Sequence, residues 1–171
     1  EQFNYTKALE VTEKFFWVFC DDYLELVKDR VYGSLGNREQ LSAQIALGHA
    51  IENFLKLFAP FMPFVTDEVW SWWKSGSVHI STWPTTLTLS SDDPMILQAV
   101  SEILTLVRKL KSDAQVSMKT EIGSLSISAP SALLKSAQMA ESDLKTAARA
   151  QNVTWKTSET LHVEGDLVLE A

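Results

Sequence analysis

The sequence predicts a mainly α protein, a helical bundle followed by a small α+β subdomain. Three observations carry that expectation. No glycine or proline interrupts the chain between Glu1 and Tyr32, so one long helix is expected there. Apolar residues recur at three- and four-residue spacing as far as Ala114, the period of helices with a buried face. Beyond that point the period becomes two: Leu125, Ile127 and Ala129 alternate with Ser124, Ser126 and Ser128, the mark of a half-buried strand. The change divides the chain into a bundle over 1–92 and a long helix with a small β-α-β-β unit over 93–171.

The first helix is expected over about 2–32, ended by Gly33. Its apolar residues form two rows: Ala8, Val11, Phe15 and Val18, and then Phe16, Phe19, Tyr23 and Val27. A single-layer surface helix needs one row, so two rows imply a neighbour on each flank. The second helix, about 38–58, carries Leu41, Ile45, Gly48, Leu55 and Phe58 as its stripe, and Pro60 and Pro63 stop it for want of an N–H. A short helix from Thr66 to Trp73 comes next, closed by Gly76. Trp17, Phe19, Cys20, Tyr23, Phe61, Phe64, Trp70 and Trp73 are assigned to the core of this bundle.

Residues 77–94 read as a Ser/Thr-rich connector with Pro84 and Pro94. Asp92 or Asp93 is placed to cap the next helix, with Pro94 in its first turn. That helix, about 93–114, has the cleanest stripe: Ile96, Val100, Ile103, Val107, Leu110 and Ala114. Pro130 and Ser131 open a helix to about Arg149, with Leu133, Ala137, Ala140, Leu144 and Ala147 inward. Val153–Lys156 and Leu161–Val163 read as strands, with Leu167–Leu169 a further strand or a continuation past Gly165-Asp166.

Composition narrows the function. The chain of 171 residues is 46% hydrophobic and 22% charged, as a soluble globular protein is, and no apolar run approaches the ~20 residues of a membrane span. Cys20 is the single cysteine, so no intrachain disulfide forms, which fits a reducing cytoplasm. A start at Glu1, already inside a helix, is expected of a piece cut from a larger protein. The net charge of −7 argues against indiscriminate nucleic-acid binding, and only 95–120, with Arg108, Lys109, Lys111 and Lys119, is net positive. Any RNA contact is therefore local.

Catalytic chemistry finds no footing. His49, His79 and His162 are scattered, without a partner at a recognisable spacing. One cysteine and three histidines do not make a metal site. Asp21-Asp22 and Asp67-Glu68 are neighbours on helices, so their carboxylates point about 100° apart. Val116-Ser117-Met118-Lys119-Thr120 has some likeness to the lysine loop that binds nucleotide in class I synthetases, but its flanks differ and a His-x-Gly-His companion is missing. No glycine-rich phosphate loop occurs either.

Four blocks carry a resemblance. Phe15 to Lys28, with its Phe-Trp-x-x-Phe-Cys-Asp-x-Tyr wording, is followed by Ala59-Pro60-Phe61-Met62-Pro63-Phe64, by Ser77-Val78-His79 with Trp83-Pro84, and by Val107-Arg108-Lys109-Leu110-Lys111. In this order, over roughly residues 1 to 120, they resemble the anticodon-binding helical domain of valyl-tRNA synthetases. The isoleucyl and leucyl enzymes share the Pro-Phe-x-Pro-Phe and Trp-Pro elements, while the first block favours valine.

The resemblance implies a tRNA partner contacted at its anticodon, a catalytic domain in the same polypeptide, and a cytoplasmic protein with no membrane or DNA partner. ATP and Mg would serve the full-length enzyme in attaching valine, with no cofactor, metal or catalytic residue in this stretch. The alternatives are the equivalent domain of an isoleucyl- or leucyl-tRNA synthetase and a helical protein-interaction domain without RNA binding. Recognition of unpaired bases needs aromatic platforms, polar groups and a few cations, and Asn4, Tyr5 and Lys7 supply all three within one helical turn. Tyr5, counted back from Trp17, falls where the family has an aromatic against the anticodon loop, and Asn4 falls where relatives often carry Arg. Lys14 lies seven residues after Lys7, on nearly the same face. Arg108 and Lys109 complete the expected RNA-binding set, in the one basic segment.

Overall fold

A computed structural model describes residues 4–85, 93 and 95–169. Asp92 and Pro94, named above, lie outside the described residues. The chain forms two compact units, Glu1–Leu89 and Ser90–Ala171.

Unit 1 begins with a continuous helical rod: α1 (Tyr5–Val18), a π turn (Phe19–Tyr23) and α2 (Leu24–Val31). The π turn takes up one residue more than an α turn would and rotates the helix beyond it, so Leu26 and Val27 of α2 are both buried. Gly33 and Gly36, both at positive φ, make the tight turn that returns the chain into α3 (Asn37–Phe58).

The second of the two predicted rows packs on α3. Phe16 meets Phe54 and Phe58 edge-on at 5.3 and 5.4 Å between ring centroids. Phe19 meets Phe54 at 5.2 Å and stacks on Tyr23 at 5.2 Å. The first row does not find the flanking neighbour expected for it among the described residues. Val11, Val18 and Phe15 stay exposed, Phe15 to 56%, although its ring reaches Phe54 at 5.9 Å. The α3 stripe is corrected too. Leu55 and Phe58 are buried, but Leu41 and Ile45 are exposed, because the inward face of the first half is held by the small Ala43.

α4 (Pro63–Ser71) starts at Pro63. The proline expected to stop the preceding helix therefore opens the next one, where its fixed φ and missing N–H cost nothing. Only Thr66 and Trp70 of α4 are buried. Trp70 forms a core with Leu55, Ala59 and Val78, and Lys56 and Lys74 both lie 5.7 Å from its ring centroid. Both ammonium groups pair with Glu52 at 2.9 Å. Phe64, Trp17 and Trp73, assigned to the core from the sequence, are exposed, Phe64 to 90%. For Phe64 the reason is geometric: the nine residues of α4 turn one row inward, with Thr66 and Trp70, and Phe64, six residues before Trp70, points about 120° away from it.

A 3-10 turn at Val78–Ile80 comes next, with Val78 buried. Asp67 holds it, accepting from Ser77 Oγ at 2.5 Å and Val78 N at 3.0 Å.

In unit 2, Asp93 accepts from Met95 N at 2.9 Å, as a cap should, and from Ser136 Oγ at 2.6 Å. α5 (Met95–Asp113) buries Val100, Ile103 and Val107 of the predicted stripe, with Ala99, Leu104 and Lys111 added, while Ala114 is exposed. β1 (Ile122–Ala129), α6 (Ser131–Gln138), α7 (Glu141–Ala148), β2 (Ala150–Thr157) and β3 (His162–Leu167) complete it.

The sheet order is β2-β1-β3. β1 runs parallel to β2, with Ile127 opposite Trp155, and antiparallel to β3, with Ile127 opposite Val163. Ile122, Leu125, Ile127 and Ala129 are wholly buried on the central strand. The single helix expected from Ser131 to Arg149 is instead two, broken at Met139-Ala140. Ala137 and Leu144 of the expected inward set are buried, while Leu134 and Ala148 take the places of Leu133 and Ala147, with Ser136 and Asp143 buried beside them.

Phe54→Ala removes the ring that joins the α1 row to α3, and the expected loss is about 3–5 kcal/mol. Urea unfolding followed by tryptophan fluorescence checks it. Five of the 6 tryptophans (Trp17, Trp70, Trp72, Trp73 and Trp83) lie in unit 1, so the signal reports that unit.

The Ser77 hydroxyl and Val78 N–H hold the Asp67 carboxyl below its usual range. A depressed folded value contributes stability above the unfolded carboxyl range, about pH 4, and loses it as pH falls through the folded value. Unit 1 should weaken below about pH 4, and Asp67→Asn should be less stable at neutral pH with a shallower acid limb. An identical pH profile for the variant would show that this anchor carries no linkage.

Candidate nucleic-acid interface

The first turn of α1 is built by Asn4. Its backbone leaves the helix at φ −100 and ψ 80, and its side chain accepts from Lys7 N at 2.9 Å. The first helical hydrogen bond, Ala8 N to Asn4 O at 3.1 Å, starts there as well. Asn4 is thus the helix cap, a role that satisfies one of the free N–H groups of the helix end. Its carbonyl oxygen is committed to that bond, and the amide nitrogen remains to face solvent.

Tyr5 stands 73% exposed. Eleven residues before Phe16, it points within about 20° of the same side of the helix, in line with the apolar row. Among the described residues no ring packs against it there. Phe16 already packs on Phe58, the last residue of α3, while Phe19 packs on Phe54. The two helices therefore run in opposite directions, and α1 continues about 16 Å beyond Phe16 toward Tyr5. The ring projects past the end of α3.

Lys7 and Lys14 are both exposed. Lys7 reaches Glu10 at 3.6 Å, with both side chains well exposed, a pairing too weak to immobilise it. The two lysines share one face, turned about 200° from Tyr5. Asn4, Tyr5, Lys7 and Lys14 thus come together along one helix, with the ring on one side and the ammonium groups on the other. Arg108 and Lys109 are exposed on α5 and belong to unit 2.

Lys111 does not contribute to a basic face. It is 2% exposed, and its ammonium donates to Met118 O at 3.1 Å and Ala148 O at 3.0 Å. Burial, with Arg149 nearby, holds its pKa below the usual lysine range. Its spacing carries the signal: Lys111 comes four residues after Val107 and eight after Ile103, on the buried row.

Other exposed aromatic groups are worse placed for a phosphate chain. Phe64 shares a surface depression with Asp67, Glu68 and His79, and Trp72 Nε1 donates to Glu68 at 3.3 Å. The carboxylates there repel a polyanion. A separate apolar groove of about 610 Å³ opens along the rod, lined by Phe16, Leu24, Ile51, Met62 and Val65 among others. Cys20 is half-buried on its wall, and burial and Asp21 push its thiol pKa up, away from a reactive thiolate.

His79 Nε2 lies 3.1 Å from Pro63 O, and His162 lies 3.4 Å from Glu164. Among the described residues no group of three His, Cys, Asp or Glu is placed to hold a metal ion. No helix among them is long and apolar enough to cross a membrane.

Residues 1–127 match the family described as the anticodon-binding domain of tRNA ligase. The valine–tRNA ligase of Cutibacterium acnes is 49% identical over 175 residues, taking in 100% of this chain and 19% of that protein. The valine–tRNA ligase of Thermobifida fusca is 42% identical over 98% of the chain and 19% of its own length. That of Leifsonia xyli is 40% identical, over 99% and 20%. The chain spans about a fifth of the length of these relatives. With a helical bundle, an exposed capped helix start and a family match over most of its length, the chain belongs to the anticodon-binding domains of tRNA ligases.

Proposed function

We propose that this chain recognises the anticodon end of valine-accepting tRNA as part of a valine–tRNA ligase. The observation that carries the reading is the identity of 40–49% over nearly the whole chain with relatives of that name. The chemistry at the start of α1 supports it. The exposed Tyr5 ring is a platform on which an unpaired loop base can stack, and Asn4 keeps its amide donors for a base edge. Lys7 and Lys14, on the opposite side, suit the phosphates of the same loop. Arg108 and Lys109 offer the equivalent on unit 2.

In the whole ligase, ATP and Mg²⁺ serve the attachment of valine to tRNA, and that chemistry belongs to a catalytic domain of the same polypeptide. On this reading the chain by itself is the non-catalytic, tRNA-binding part of the ligase. The apolar groove along the rod suits packing against the rest of that polypeptide. A cytoplasmic location is in keeping with the reaction.

The test is fluorescence anisotropy with labelled tRNA. A valine-accepting tRNA should bind better than one with a changed middle anticodon base. Tyr5→Ala should weaken binding by about 5- to 150-fold, the equivalent of one stacked base at about 1–3 kcal/mol. Lys7→Ala should lower the slope of log affinity against log salt by about 0.7–0.9. Equal binding of the two tRNAs by the wild-type chain would sink the reading, as would an unchanged affinity in Tyr5→Ala.

A further inference from the structure

The loop after α5 contains Ser117, Lys119 and Thr120, part of the stretch that failed as a nucleotide loop on sequence grounds. In unit 2 these three residues line a recess of about 570 Å³ with Glu121, Arg149 and the apolar segment after β3. The recess exists because of Lys111. Its buried ammonium binds the carbonyls of Met118 and Ala148, and each of those residues stands immediately before a cation, Lys119 and Arg149. One ammonium therefore ties two segments together so that two exposed cations open onto one cavity.

This arrangement is costly without a ligand. A buried ammonium loses hydration that only good hydrogen bonds offset. Burial and the Arg149 charge both act against the protonated Lys111. Arg149 also holds a left-handed backbone at φ 56, where glycine would sit more easily. Among the described residues the one acid in the wall is Glu121, which accepts from Gln151 Nε2 at 3.1 Å. Ser117 Oγ accepts from Lys119 N at 3.2 Å, which leaves its O–H to donate elsewhere. Two exposed cations and two hydroxyls are a donor set for a phosphate oxygen, and among the described residues no aromatic ring lines the cavity to read a base.

We propose that this recess binds a backbone phosphate of tRNA, a contact that positions the RNA without reading its sequence. The inference rests on the part of the function above that makes tRNA the ligand, but not on anticodon discrimination.

The test compares the chain with Lys119→Ala, Arg149→Gly and the double variant, titrated with labelled tRNA over a range of salt. Arg149→Gly suits the left-handed backbone, so the fold is kept. The double variant should bind about 3- to 10-fold more weakly, equally for valine-accepting tRNA and for its altered-anticodon form, with the salt slope reduced by about 1–2. An unchanged slope would overturn the proposal, and so would absence of tRNA binding by the wild-type chain. Inorganic phosphate alone, followed by amide NMR shifts, separates the sources. Shifts confined to 117–121 and 149 with no change in tRNA slope would make the recess a free-phosphate site and refute the RNA contact. A reduced slope in a chain that does not discriminate anticodons would uphold the recess and reject the anticodon reading.

Discussion

The seating of one apolar row of α1 on Phe54 and Phe58 sets the rest of unit 1. Three α1-side rings close on Phe54 within 6 Å, and aromatic pairs of this geometry add to what burial alone contributes. Once Phe16 and Phe19 are fixed inward, every other position on the rod is fixed with them. Lys7 and Lys14 are turned to solvent, Phe15 is left at the rim, and Tyr5 is carried beyond the end of α3 on the inward-facing side. The exposed ring is therefore a consequence of where α3 ends: Phe58, its last residue, lies against Phe16, and α1 continues past it toward Tyr5. The π turn belongs to the same constraint, since it brings Leu26 and Val27 of α2 into the core after Tyr23.

Charge is handled differently in the two units. Unit 1 uses cations for structure as well as surface, with Lys56 and Lys74 held by Glu52 and set against Trp70. Two hydrogen bonds from these lysines lower the Glu52 pKa, so the carboxylate stays ionised further into the acid range than an isolated one. Unit 2 takes the riskier course of burying Lys111 against carbonyls alone. Replacing such a group by a hydrophobic residue of similar size is often neutral or stabilising. Stability is then a poor reason for a lysine at this position, whereas the alignment of Lys119 and Arg149 is a specific result of it.

Much of the fold was legible in the sequence, for identifiable reasons. The helix at 37–58, the Asp93 cap and the alternation of β1 rest on local signals, and local signals survive folding. Legibility failed where the answer depended on what lies opposite. Leu41, Ile45 and Phe64 have core-like spacing, but no partner covers them among the described residues. The π turn has no period of its own and hides within a helical pattern. The break at Met139-Ala140 lacks both glycine and proline, so nothing marked it. At the interface, Tyr5 could be placed on a face from spacing alone, yet its exposure required knowing where α3 ends. Lys111 was readable from its four-residue interval after Val107, had position been weighed above charge. The recess by Arg149 was not readable, because Lys111 brings Arg149 to it through the Ala148 carbonyl, a bond that spans 37 residues.

The proposed function must also be compatible with an acidic chain. A net charge of −7 opposes a polyanion at every distance inside the screening length, so the attractive contacts have to be few, close and specific. One stacked base contributes about 1–3 kcal/mol, and association itself costs at least about 4 kcal/mol in lost freedom. A ring and a few cations therefore hold tRNA poorly by themselves. In a polypeptide of its relatives' length, about five times that of this chain, the same contacts would become intramolecular once tRNA is engaged elsewhere, at an effective concentration in the millimolar range for short linkers. Weak attraction is then an advantage. A strongly basic domain would retain every tRNA, whereas one that relies on Tyr5 against a general repulsion releases those whose loops do not fit.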